Sequence, residues 1–180
     1  MNMSRSKFIS LFLALTTLLL SAASFGGDFT HTGSGIRVKT VLIVDVNVYS
    51  ISHFMQQLPS SKSKRAVIDM ETNKKFECKM LRDLEGEKLK AALRDAYAMN
   101  GYSDQAKIGK ILNAFKGDLK EGQRFSIKYD NDKKATTFVV DGQGSVTVEG
   151  VDFMKATWSI WFGKIDQPKL GDQLISKIPG

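Results

Sequence analysis

Val44, Val46 and Val48 alternate with Asp45 and Asn47 inside the run IRVKTVLIVDVNVYSIS, a period of two that predicts strand with one apolar and one polar face. The run extends from Ile36 to Ser52, too long for one strand, and its β-branched residues predict two paired strands or one long bent strand. A polar connector, Gly26 to Gly35, precedes it. Pro59 and the serines from Ser60 to Ser63 break the pattern. RAVIDME and FECKML then read as short strands about the turn residues Thr72 and Asn73, an antiparallel hairpin with Phe76, Cys78 and Met80 on one face.

The period then changes. Asp83 stands at a helix N-cap position, and Leu89, Leu93, Ala96 and Tyr97 fall on one helical face that Asn100-Gly101 closes. Ser103 caps a second helix with the stripe Ile108, Ile111, Leu112 and Phe115, stopped by Gly117. Arg124 to Tyr129, TTFVV and SVTV, separated by the turns DNDKK and DGQG, predict a three-stranded meander. Asp152 opens the helix FMKATWSIWF, which Gly163 ends, and Pro168 introduces a short helix carrying Leu170, Leu174 and Ile178. This order lacks β-α-β alternation. It predicts an α+β domain with helices packed on one face of a large antiparallel sheet.

The first 23 residues alter the count. Arg5 and Lys7, the short apolar stretch Phe8 to Leu20, and the small residues Ser21 to Ala23 predict a cleaved signal peptide rather than a membrane anchor. Residues 24–180 then form one domain, periplasmic or secreted, with no stable membrane anchor. Loss of Arg5 and Lys7 takes the basic residues from 26 to 24 against 19 acids, a net charge of +5. The cations are scattered rather than gathered with aromatics, which argues against nucleic acid as a partner. Cys78 is the sole cysteine, so the chain forms no internal disulfide. No spacing specifies an oligomeric state.

Little in the chain points to a reaction. His31 and His53 lack partners at ligand spacing, so no metal is expected. GSG at 33–35 and GQGS at 142–145 read as turns, not nucleotide loops, and no cofactor is expected. Asp152, Asp166 and Asp172 show no paired-carboxylate spacing. Trp158 and Trp161, with Phe153 and Phe162, read as core.

Five stretches together resemble the bacterial chalcone-isomerase-like domain: GSGIRVK, VNVYSI, RDLEGEKLKAAL, FKGDLKEGQRFSIKY and VDFMKATWSIWFG. The resemblance implies an open-faced β-sandwich, a large antiparallel sheet covered by helices, with a ligand cleft between the two. In plant enzymes of the family that cleft closes a chalcone to a flavanone, and related plastid proteins bind fatty acids. Matching the stretches places Arg37 on the family's arginine. Val44, Lys88, Asp95 and Ile160 fall where the enzymes have a threonine, a tyrosine, an asparagine and a hydroxyl residue.

That step needs hydrogen-bond donors where negative charge arrives, so the resemblance implies a fold kept without chalcone isomerase activity, and no catalytic residue is assigned. Arg37 is either the anchor for a carboxylate or phenolate or a sheet-edge arginine. Tyr49 and Tyr102 are candidates to donate a second hydrogen bond to the same ligand, or they serve packing. The leading expectation is an exported, non-catalytic protein binding a small apolar or amphipathic acid such as a fatty acid. An isomerase or lyase with a different polar set, and a structural envelope protein without a ligand, are the alternatives.

Overall fold

A computed structural model describes residues 27–180. The expected signal segment, residues 1–23, lies outside the described residues. Two long strands come first, β1 (Thr30–Val41) and β2 (Val44–Met55), followed by α1 (Lys64–Asp69), β3 (Lys74–Met80), α2 (Gly86–Met99) and α3 (Gln105–Leu112). The chain continues through β4 (Arg124–Asp130), β5 (Ala135–Val140), β6 (Gly144–Glu149), α4 (Val151–Phe162) and α5 (Pro168–Leu174). The six strands form one sheet in sequence order, every neighbouring pair antiparallel. This is the α+β architecture expected from the pattern, and the meander runs through all six strands. Among the described residues no helix is long and apolar enough to cross a membrane.

The helices cover one face. Tyr49, Ile51, His53 and Met55 of β2 are buried in alternation with partly exposed residues, as are Phe76, Cys78 and Met80 of β3. The helix α4 supplies the centre of the core, with Phe153, Met154, Trp158 and Trp161 all buried. Burial of an aliphatic or aromatic side chain contributes about 1.5–3 kcal/mol, so this one helix anchors the layer. The opposite face carries Ser52, Glu77, Ser126 and Thr137 and stays open to solvent.

Five sequence expectations are corrected. RAVIDME is not a strand: most of it forms α1, capped by Ser63 Oγ accepting from Ala66 N at 3.4 Å, and β3 pairs directly with β2. The far end of α1 is held by Lys74, whose buried ammonium donates to the carbonyls of Val67, Ile68 and Met70 at 2.7, 3.1 and 2.9 Å. A lysine reaching back from the next strand leaves no local sequence signal. Residues 30–35 of the supposed connector, with its GSG turn, belong to β1, and Gly33 and Gly35 are there because α5 lies against the strand. A Cβ at Gly33 would sit 2.1 Å from the Gln173 carbonyl oxygen, and one at Gly35 2.5 Å from a Leu170 methyl.

The caps also shift. Asp104, not Ser103, caps α3 by accepting from Lys107 N at 3.0 Å. Asp83 precedes α2 without capping it, and instead accepts from Glu121 N at 2.8 Å. Asp152 sits in the first turn of α4, whose N-cap is Gly150.

Candidate functional site

The site begins with a β-bulge. Arg37 pairs with Tyr49 and Val38 with Asn47, which leaves Val48 as the extra residue of β2. The bulge resets the alternation, so that Val46 and Val48 join Tyr49 in facing the helices. Because the β2–β3 ladder begins at Tyr49, with Leu81 N donating to the Val48 carbonyl at 2.9 Å just beyond it, the tip of the β1–β2 hairpin projects past the sheet as an arm.

Between this arm and α2 lies an open cleft of about 960 Å³. Its walls are mainly aliphatic: Val46 and Val48 on the arm face Leu89, Leu93, Ala96 and Met99 on α2. The cleft side of α4 brings Ile160 and Trp161, and Ile165 follows from the next turn. Such a volume with so apolar a lining is typical of small-molecule sites.

Charged residues border the cleft at several points, Asp83, Lys88, Asp95 and Lys120 among them, and one bonded cluster surrounds Arg37. The Arg37 guanidinium donates to Asp166 Oδ1 at 2.6 Å, to Gln167 Oε1 at 3.2 Å and to the Val38 carbonyl at 2.9 Å. Lys39 donates to the second Asp166 oxygen at 2.9 Å. Burial alone would raise the Asp166 pKa, but the Lys39 hydrogen bond and the charges of Arg37 and Lys39 hold it below the usual carboxylate value. With five N–H donors on arginine and three used, Arg37 keeps two for another acceptor. Gln167 does more than hold the arginine. Its Oε1 accepts from Val38 N at 2.9 Å and its Nε2 donates to the Ile36 carbonyl at 2.9 Å, so one side-chain amide seals the outer edge of β1.

Tyr49 lies beside Arg37 across the register and is 8% exposed. Its hydroxyl accepts the indole N–H of Trp161 at 3.1 Å, leaving the phenolic hydrogen to donate. Burial, followed by the Cys78 thiol, pushes the Tyr49 pKa up, so the group is a neutral donor rather than a phenolate. Arg37 and Tyr49 therefore share one end of the cleft. Tyr102 does not join them: its hydroxyl donates to Asp152 Oδ2 at 2.9 Å, on a carboxylate that Lys107 also holds at 2.9 and 3.0 Å.

Of the positions matched to family polar residues, Arg37, Lys88, Asp95 and Ile160 all line the cleft. Val44 stands outside that lining, 60% exposed near the end of the arm. Asp166 and Gln167 went unnoticed in the sequence as partners of Arg37. They lie 129 and 130 residues downstream, in a connection whose local pattern shows only the approach to a proline-started helix.

Comparison with known proteins agrees with this fold. No curated protein sequence matches the chain. A crystal structure of an Arabidopsis thaliana fatty-acid binding protein is similar to it, with a TM-score of 0.68 at 14% identity over 85% of this chain and 89% of the other. A family model described as chalcone isomerase-like matches residues 19–174. With that match spanning most of its length, the chain belongs to the chalcone isomerase-like family.

Proposed function

We propose that this chain is an exported, non-catalytic binding protein whose cleft holds a small amphipathic acid, such as a fatty acid. The observation that carries the reading is the division of the cleft: aliphatic walls along its length and, at one end, Arg37 and Tyr49 with donors to spare. An acyl chain would lie between the arm and α2, and its carboxylate would take the free N–H groups of Arg37 and the Tyr49 hydroxyl. Charge-assisted hydrogen bonds of this kind are about twice as strong as neutral ones. The similar plant structure, a fatty-acid binding protein, supports the reading. Ile160, which lines the cleft where the family's enzymes carry a hydroxyl residue, offers no donor to a moving charge, which supports binding over catalysis.

Tyr102 takes a different part in this proposal. Bonded to Asp152 and packed on Tyr97 and Phe153, it braces α2 against α4 rather than touching the ligand.

The decisive experiment is native mass spectrometry of the protein recovered from cells, followed by titration with palmitate. One acyl chain per protein is expected. Neither a co-purified acid nor saturable palmitate uptake would reject the binding role. Cell fractionation tests export separately, through loss of the mass of residues 1–23.

A further inference from the structure

The arm that walls the cleft ends in an unusual way. Leu42 and Ile43 form its turn and are 95% and 94% exposed, with Val44 beside them at 60%. Hairpin turns ordinarily use asparagine, aspartate or glycine, above all where φ is positive. Here Leu42 occupies that conformation, at φ 58°. Three contiguous aliphatic side chains touch no core, and a local conformation that disfavours leucine holds one of them in solvent.

The charge around the arm's base points to what meets the tip. Lys79 of β3 and Arg124 of β4 stand directly opposite one another at the sheet end from which the arm projects. A like-charge cross-strand pair is destabilising unless an anion meets it. Both are exposed, as is Arg82 in the following loop, and none of the three has an acidic ion-pair partner among the described residues. From Tyr49 to Ile43 the arm reaches roughly 20 Å at about 3.3 Å per residue. A tip immersed past the headgroups would bring these cations to about a Debye length from the phosphates.

We infer that the β1–β2 hairpin tip is a membrane-docking device: Leu42 and Ile43 enter an anionic lipid bilayer while Lys79, Arg82 and Arg124 face its headgroups. Two aliphatic side chains alone bind a bilayer weakly, and the cations add the attraction that makes the contact useful and reversible. The inference deepens the acyl-binding reading, because Val46 and Val48 continue from the tip into the cleft and would make the arm a ramp for a chain leaving the membrane.

The test uses the protein as recovered after export, in the same form for every variant. Binding to phosphatidylcholine vesicles with and without phosphatidylglycerol, at about one anionic lipid in three, is followed by co-sedimentation. Ile43→Trp reports depth through quenching by brominated lipids, with the parent protein as background. Tighter binding to the anionic vesicles, quenching of the added indole in the I43W variant, and at least tenfold weaker binding of the L42D/I43D variant are expected.

Equal binding by L42D/I43D and the parent, or no quenching in I43W, overturns the docking role. A concentration-dependent dimer that L42D/I43D abolishes, without vesicle binding by the parent, would assign the tip to a second copy and also overturn it. The Ala92→Trp variant, which fills the cleft, separates the two proposals: it should lose palmitate and keep vesicle binding. Vesicle binding without palmitate uptake in the parent would leave docking standing and reject the acyl site.

Discussion

Trp161 gives its indole N–H to the Tyr49 hydroxyl at 3.1 Å, which ties the cleft floor on α4 to the bulged strand β2. Both residues are nearly sealed from water, so Tyr49→Phe strands a buried donor as well as removing the hydroxyl proposed to meet the ligand. A loss of about 1–3 kcal/mol in stability is expected from urea denaturation. Palmitate affinity should fall several-fold beyond what the stability change explains. Undiminished affinity would show that the hydroxyl serves only Trp161.

Arg37 and Asp166 make opposite predictions. Arg37→Ala removes the cation and should weaken palmitate binding by roughly tenfold or more, the worth of a charge-assisted bond. Asp166→Asn removes the anion that competes for the same guanidinium, so palmitate should bind more tightly. Calorimetric titration of both variants checks the pair. Weaker binding in D166N would mean that Asp166 positions Arg37 more than it competes.

His53 is buried between two fixed partners. Its Nε2 accepts from the Trp158 indole at 2.9 Å, so Nδ1 carries the hydrogen and donates to Thr32 Oγ1 at 2.7 Å, which in turn donates to the Leu174 carbonyl at 2.8 Å. Burial, then the charges of Lys74 and His31, hold its pKa well below 6.5. The unfolded chain therefore takes up a proton that the folded one refuses, and stability falls as pH drops below 6.5. Denaturation midpoints at pH 7 and pH 5 test this, and His53→Gln should flatten the slope.

Lys74 acts in a neighbouring window. Burial pushes its pKa from 10.5 to about 7, with Asp69 opposing. Between those values the unfolded chain binds the extra proton, so stability rises with pH from about 7. The Cys78 thiol, pushed up by burial, works in the other direction above its ordinary value of 9, so the rise is read between pH 7 and 9. Lys74→Met should remove the slope and deprive the carbonyls of Val67, Ile68 and the C-cap Met70 of their donor, at a cost of about 1–3 kcal/mol. A flat profile in the parent would contradict the shift.

The parts of the fold that the sequence revealed are those where one face of one element carries the information. Period-two alternation located β3 to β6 after Phe76, and the spacing of Leu89, Leu93 and Tyr97 located α2, because each pattern reports burial against a single layer. The segment RAVIDME misled because a six-residue helix shows less than two turns of period, and its far cap comes from Lys74. The GSG stretch misled because its glycines answer to α5, far along the chain, and not to a local turn. Arg37 was legible through the match of GSGIRVK to the family's arginine and Tyr49 only as a tyrosine able to donate, whereas the groups that hold them were not. Asp166, Gln167 and Trp161 meet them only through the closure of the fold, and a bulge at Val48 decides which way the valines point.

The amide of Gln167 covers backbone that was synthesised 129 residues earlier. Until that glutamine and α5 arrive, Ile36 and Val38 present a bare hydrogen-bonding margin on a valine-rich hairpin, the kind of template on which other chains assemble. A shortened product that ends before Gln167 leaves this margin open and is expected to self-associate more readily than the full chain.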